Sequence, residues 1–561
     1  MFRNVIQFYS VNFWKFFGLY IAFLFLGLGS FPLIDWDENI YGAIAKSMHT
    51  TGEYLQIKIN SQIFPEKPPV FFWVASFFYK LFAMNEITTR IPSVLSGLVS
   101  FVAIYTFGKK FFSEEFGLNW TLVYSASMIP LFLSRTAYID HIFNTFIFLS
   151  VVGFILYDLV PKEKSSTRIG WVVFTSITMG LAVLTKGPLG IAIPVVAFLG
   201  MRIYKRNFKI IFVDLLISLI VLLIVVSSFY LTNYYFYGDE FLNGFISFQN
   251  KLLTKSLESH TGPWFYHFMI SPIGFFPWAP ILFLYCFSFF RRGLSSVTAK
   301  EFSVAFGVWI LFVLVIFSIV QTKLPHYSSS IYYGLSFFTI FLILHKSEDL
   351  AVHKLLHKSF FSVLVFGILM GGIFFVFPFV FPTIAKSSIF LKTYGNISPD
   401  LFFSTGWIPG LLLVLGFVLS FFAYKKSSYE QTRFISGIWL SMMLFFSSFS
   451  VFFAPSLVHT LQNKTMVVFD EARKQDCKIV FYKFLSFYPM FYREEPISII
   501  GSYKFKEETE LLINKQEKTL CVITHPKNFV ELQILYPKKK YEPVLSEGDL
   551  ILYLTKNLER P

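Results

Sequence analysis

Apolar residues run in blocks of about twenty along most of this chain, the length that crosses bilayer hydrocarbon as a helix. About thirteen such runs can be picked out, near 12–34, 91–107, 118–134, 139–157, 170–185, 188–201, 210–232, 272–290, 302–320, 328–344, 359–381, 407–424 and 434–454. The first carries Arg3 and Lys15 at its start, has no small-residue cleavage site and is too long for a signal-peptide core, so it reads as an anchor. After Pro455 the pattern changes, and Lys and Glu become frequent. Strand-like 477–484, 497–502 and 519–525 alternate with helix-like 506–516 and 527–536. A final pair, 541–545 and 549–555, is joined by a turn at Glu547-Gly548-Asp549. The expected fold is an α-helical polytopic membrane protein over 1–455, followed by a small α/β domain over 456–561.

Composition narrows the class. Of 561 residues, 55% are hydrophobic and only 15% charged, with 75 Phe, too much apolar surface for a soluble protein to bury. The same figures exclude a disordered chain and a collagen-like fibre. A net charge of +14 raises the question of nucleic acid, and the placement of the charges answers it. Lys109 and Lys110, Lys162 to Arg168, Arg202 to Lys209, Arg291 to Lys300, Lys346 to Lys358, and Lys425 to Arg433 occupy short connections between alternate spans. Basic residues so placed mark cytoplasmic loops, whereas nucleic-acid binding needs them gathered on one folded face. Nucleic acid is therefore not an expected partner; membrane lipids are. The other connections, and the tail, then lie outside. Three Cys rule out a disulfide framework. Cys477 and Cys521 occupy corresponding places in two tail strands, either joined by a disulfide or lying as two inert buried thiols, and Cys286 reads as packing within a span.

The outer connections carry the candidate chemistry. Asp35-Trp36-Asp37-Glu38 opens a segment in which Ile40, Ile44 and Met48 repeat as the stripe of an amphipathic helix at the membrane interface. Asp37 and Glu38 fall at its N-terminus, where free N–H groups favour carboxylates. A carboxylate held there among apolar surroundings can also serve as a general base, and Asp35 is the weaker candidate. Farther on, Glu66-Lys67-Pro68-Pro69 precedes the aromatic run Val70-Phe71-Phe72-Trp73. The prolines fix the backbone, and a rigid Glu-Lys pair at headgroup level suits a metal and a phosphate respectively. Other outer helix ends repeat the theme with Arg135 and Asp140, Lys186 in LTKGP, Lys251 to His260, and Lys323, His326 and Tyr327 in KLPHY. Together they outline a cationic cavity with a few carboxylates, open to lipid, which fits a phosphate headgroup on a long hydrocarbon tail. The chain has no P-loop, no dinucleotide fingerprint and no H-E-x-x-H, and no cytoplasmic loop large enough to hold a nucleotide. An activated donor should therefore be lipid-linked.

With D-E at Asp37-Glu38, E-K-P-P at Glu66 to Pro69, L-T-K-G-P around Lys186, an H-x-x-P-W-x-Y segment from His260 and K-L-P-x-Y around Tyr327, the chain resembles membrane glycosyltransferases of the GT-C class. The resemblance is closest to the lipid A aminoarabinose transferases, within the protein O-mannosyltransferase superfamily. Where those transferases often continue T-R-Y after D-E, this chain has Asn39-Ile40-Tyr41. The resemblance implies a monomeric enzyme of the bacterial inner membrane, moving a sugar from a polyprenyl-phosphate donor to lipid A or a similar glycolipid at the outer face. The alternatives are a protein acceptor or, in another class, a lipid or sugar flippase. It implies Asp37 as catalytic acid/base, with Glu38 and Asp140 as accompanying carboxylates. Lys67, Tyr327, Lys186 and Lys323 would surround the donor phosphate, and Glu66 with His260 would hold a divalent metal ion such as zinc.

Overall fold

The computed structural model describes residues 10–557, apart from 162, 208–210, 255–260, 284–296, 345–349, 395–397, 399–400, 403, 428–429, 493–496, 501–518, 536 and 538. Eight described helices are long and apolar enough to cross a membrane: Glu86–Phe111, Ile139–Leu159, Ser165–Lys186, Phe212–Tyr237, Ala299–Ile319, Lys354–Ala385, Ile408–Lys426 and the continuous run Gln431–Lys474. Shorter apolar helices, Val11–Phe25, Val70–Leu81, Leu189–Tyr204 and Ser329–Leu344, stand among them. The protein is a multi-pass helical membrane protein.

Local chemistry sets several helix ends. Asn85 and Thr88 form a reciprocal cap at the start of Glu86–Phe111, and Lys109 and Lys110 sit in its last turn, where cations complement free carbonyls. The run near 118–134 divides at Ser127 into Glu114–Ala126 and Met128–Leu133. The first run also ends sooner than its apolar length suggests: the helix stops at Phe25 and Gly27 turns the chain with φ +77°, a conformation that favours glycine. Three of the basic residues assigned to inner loops bind carboxylates on neighbouring spans. Arg202 and Lys205 meet Asp158 at 2.5 and 2.6 Å, and Arg168 meets Asp214 at 2.8 Å.

The last membrane helix runs on through Ala454–Lys474 without a break, so position 455 falls at the start of a helix rather than in a linker. Beyond it lies a five-stranded sheet in the order Ser498–Ile500, Lys478–Tyr482, Leu520–Thr524, Leu550–Asn557, Lys539–Glu547. The first three strands are parallel and the last two pair antiparallel. Gly548 makes the turn between the final pair at φ +59°. The helix read over 506–516 lies outside the described residues. Cys477 and Cys521 form a disulfide, with Cα atoms 5.6 Å apart.

Side chains alternate across a strand, and the two faces of this sheet go to different partners. Val480, Tyr482, Val522 and Tyr553 share a small core with Leu532 of the helix Phe529–Leu535. Ile479, Phe481, Ile523 and Leu552 instead join one core with Ile40, Ile44, Met48, Phe71 and Phe72. The stripe expected to rest on lipid is thus covered by protein. Tyr41 meets the Phe71 and Phe72 rings, and Phe491 of the tail packs on Gly42, where an added Cβ would lie 2.9 Å from it.

Candidate active site

The helix Asp37–Thr51 begins directly after Trp36, whose backbone has φ 74° and ψ −114°. A positive φ at a bulky residue costs roughly 1–3 kcal/mol and persists only where the surroundings enforce it. The turn presents two adjacent carboxylates in opposite ways. Asp37 lines a cavity of about 390 Å³ together with Tyr41, Glu66, Lys67, His326 and Tyr327. The Tyr41 hydroxyl donates to Asp37 Oδ1 at 3.1 Å and fixes its orientation. Glu38 faces inward and is wholly buried. It accepts from Arg90 at 2.9 and 2.8 Å, from the backbone N–H of Ala137 at 2.6 Å and from that of Ile34 at 2.9 Å. This corrects the placement of Glu38 in the catalytic group: with both oxygens engaged by buried donors, it anchors the helix start.

Glu66 and Lys67 line the same cavity, fixed by Pro68 and Pro69 ahead of the helix Val70–Leu81. Lys67 Nζ lies 5.1 Å from the centre of the Phe248 ring. Desolvation pulls its pKa below the usual lysine value, against the opposing charges of Glu66, Asp37 and Asp140 and with the help of nearby Lys186. A half-dry ammonium of this kind gains when an anion arrives.

Asp140 stands behind the cavity wall, 2% exposed, and is held by Lys186 at 2.5 Å. Lys186 Nζ also lies 4.7 Å from the centre of the Tyr327 ring. His326 Nε2 is 3.9 Å from Asp140 Oδ2, and burial lowers the imidazole pKa although Asp140 works to raise it. Asp140 and Lys186 thus support the wall as a pair.

Lys323 is a second correction. Its ammonium donates to the carbonyls of Phe317 and Ser318 at 2.7 and 2.8 Å, capping the helix Val297–Ile319. The free carbonyls of a helix C-terminus attract a cation, and this one is spent there rather than in the cavity. Arg135 is likewise occupied, donating to the carbonyls of Phe23 and Leu26. His260 lies outside the described residues. Among those described, no group of three His, Cys, Asp or Glu is gathered as a metal site. Glu66 and Asp37 are the carboxylates in the cavity wall, so the described donors do not by themselves complete one. His326 lines the cavity as KLPHY led one to expect, whereas Trp36 and Phe248 are wall residues to which the sequence assigned no role, and Phe248 carries no local signal.

An apolar cavity of about 520 Å³ adjoins the polar one, sharing Ile129, Phe132 and Pro325 with it. A second apolar cavity, of about 510 Å³, lies along Phe268, Phe275 and Phe338. Charged and greasy compartments meet at one wall.

Residues 66–230 match the dolichyl-phosphate-mannose-protein mannosyltransferase family. Among curated proteins, an uncharacterised protein of Aquifex aeolicus is 29% identical over 367 residues, 64% of this chain and 69% of that one. The undecaprenyl phosphate-alpha-4-amino-4-deoxy-L-arabinose arabinosyl transferase 2 of Pseudomonas fluorescens is 23% identical over 312 residues, 55% of each chain. The corresponding transferase of Yersinia pestis is 22% identical over 301 residues, 52% of each chain. Over nearly its whole length the fold matches the crystal structure of ArnT from Cupriavidus metallidurans bound to undecaprenyl phosphate, with TM-score 0.76, 19% identity, and 97% and 98% of the two chains covered. This chain is a membrane glycosyltransferase, and it resembles the GT-C class. The family match takes in Glu66, Lys67, Asp140 and Lys186 and begins after Asp37. The sequence similarity to the two named transferases spans about half of each, whereas the shared fold extends through the tail.

Proposed function

We propose that this glycosyltransferase moves a sugar from a polyprenyl-phosphate carrier to an acceptor lipid, lipid A or a similar envelope glycolipid, at the outer face of the bacterial inner membrane. The observation that carries this reading is the junction of the two compartments. A wall bearing Asp37, Glu66 and Lys67 opens beside an apolar cavity through Ile129, Phe132 and Pro325. A charged head and a long tail need both at once. The relatives named for undecaprenyl phosphate-linked aminoarabinose support the donor class, and the second apolar cavity supports an acceptor that is itself a lipid.

As the sugar leaves, negative charge grows on the carrier phosphate. Lys67 stabilises it, an effect worth several kcal/mol in a partly dry site. Tyr327, with the Lys186 ammonium over its ring, lines the same cavity. Asp37 stands at the polar end with Tyr41 holding one oxygen, leaving the other to accept a proton from an acceptor hydroxyl. An acceptor that is already an ionised phosphate needs no base, and Asp37 then orients it. Attack from the side opposite the leaving phosphate inverts the anomeric centre. The divalent ion implied by the family resemblance would be held by Glu66 with His260 and would add positive charge beside the leaving phosphate; no step above depends on it.

Mass spectrometry of lipid A and of envelope glycoproteins, from cells with and without this protein, tests the reading. Loss of a sugar mass from lipid A is expected. A loss confined to glycoproteins would move the acceptor to protein, and no change in either would favour a flippase. Purified Asp37→Asn protein should transfer to a hydroxyl acceptor roughly a hundredfold more slowly or worse.

A further inference from the structure

We propose that Asp35 is a positioning residue for Asp37, and that the C-terminal domain, gripping Asp35 through Ser486 and Phe487, is thereby a working part of the catalytic site. The inference rests on the proposed role of Asp37.

Ser486 Oγ donates to Asp35 Oδ2 at 2.6 Å, and the Phe487 backbone N–H donates to Oδ1 at 2.9 Å. Oδ1 also accepts the N–H of Trp36 at 2.9 Å and the Asn39 amide at 3.5 Å. Behind the carboxylate, the Asp35 backbone N–H donates to Gln462 Oε1 at 2.6 Å, and the Gln462 amide returns a bond to the Leu33 carbonyl at 3.3 Å. The residue two places before the proposed base is therefore fastened to the tail from both sides.

Between Asp35 and Asp37 stands Trp36, in a backbone conformation that its side chain disfavours. Its ring meets Phe487 edge-on with centres 5.4 Å apart, and the same residue lines the polar cavity. Released from the clasp, Trp36 would relax toward an ordinary conformation, and the peptide that begins Asp37 would turn with it. Attachment of the domain does not depend on this clasp. Lys46 bonds the Phe491 carbonyl, Asn60 bonds Ile497 in both directions, and Tyr492 bonds Leu33 and Glu86. What the clasp adds is the setting of the turn that carries Asp37.

The test uses the full chain in lipid nanodiscs with a polyprenyl-phosphate sugar. Ser486→Ala and Asp35→Asn should lower kcat roughly ten- to a hundredfold, with the donor KM unchanged within about twofold because Lys67 is untouched. Ser486→Thr, which keeps the hydroxyl, should restore the rate. In an Asp37→Asn background, Ser486→Ala should cost nothing further. Hydrogen exchange should show the amides of 36–40 losing protection by about tenfold in Ser486→Ala. Equal rate losses in both backgrounds, or wild-type kcat and wild-type exchange in Ser486→Ala, would overturn the proposal. If the wild-type protein turns over no lipid-linked sugar, the proposed function falls, and the exchange measurement alone decides whether the tail sets this turn.

Discussion

Arg90 grips Glu38 through Nε and Nη2, at 2.9 and 2.8 Å, and both side chains are wholly buried. The guanidinium also donates to the carbonyls of Leu28, Phe31 and Pro32, tying the end of the first helix region to the start of Glu86–Phe111. Removing one member of such a pair strands the other charge and costs roughly 3–5 kcal/mol. Glu38→Gln and Arg90→Gln are therefore expected to lower thermal stability and yield, whereas the neighbouring Asp37→Asn should unfold as wild type does. Thermal unfolding of the purified variants in detergent, followed by tryptophan fluorescence, separates the two carboxylates. A Glu38→Gln protein that is stable but inactive would return Glu38 to the chemistry.

That division between neighbours shows where sequence reading stops. Both carboxylates sit in the first turn of one helix, and the pattern that predicted the helix cannot say which faces Arg90, 52 positions along the chain. The strand over 477–484 and the Gly548 turn were legible because strand composition and turn chemistry are local, whereas the run Ile479 to Tyr482, apolar at every position, did not tell its two faces apart. Glu66-Lys67-Pro68-Pro69 was legible because prolines declare a fixed backbone. Lys323 was not, because a cation in a loop reads alike whether it meets a phosphate or a helix end. Nor was the Ser486 bond to Asp35, a tertiary contact between the chain's two ends.

Burial at Lys67 has a consequence in pH. Its folded-state pKa lies below the ordinary lysine value, so between the two the folded protein holds fewer protons here than the unfolded chain. This residue's contribution to stability accordingly grows as pH rises through that window, while its ability to bind a phosphate falls. The free enzyme should thus lose donor affinity at a lower pH than an ordinary lysine would allow. A bound phosphate favours the ammonium, so kcat should hold to higher pH than kcat/KM. Lys67→Arg, charged throughout the range, should remove this break from the kcat/KM profile. Profiles of kcat and kcat/KM breaking at the same pH would show that Lys67 does not meet the donor.

Metal dependence is open to direct measurement. Glu66 with His260 is the proposed pair, and protein purified without chelator is expected to carry about one divalent ion per chain by elemental analysis. Glu66→Gln and His260→Ala should each lose it while keeping the wild-type fold by circular dichroism. Chelated wild type should transfer slowly and recover with added zinc, and the Glu66→Gln variant should not recover. A metal-free wild-type protein of full activity would remove the ion from the reaction altogether.

The disulfide reports on the side of the membrane that the tail occupies. Cys477 and Cys521 lie 44 positions apart, and closing a loop of that size stabilises a domain by roughly 4 kcal/mol on the chain-entropy account. Such bonds persist in oxidising compartments and not in the cytoplasm. With three cysteines in the chain and two joined, protein denatured and alkylated as isolated from cells should take one label, at Cys286. After reduction it should take three. Cys477→Ser should lower the unfolding midpoint of the tail, and because the same sheet shares a core with Ile40 and Ile44, the helix carrying Asp37 should loosen with it. Three labels without reduction would place the tail in the cytoplasm, and the site beside it on the wrong face for an outer-leaflet acceptor.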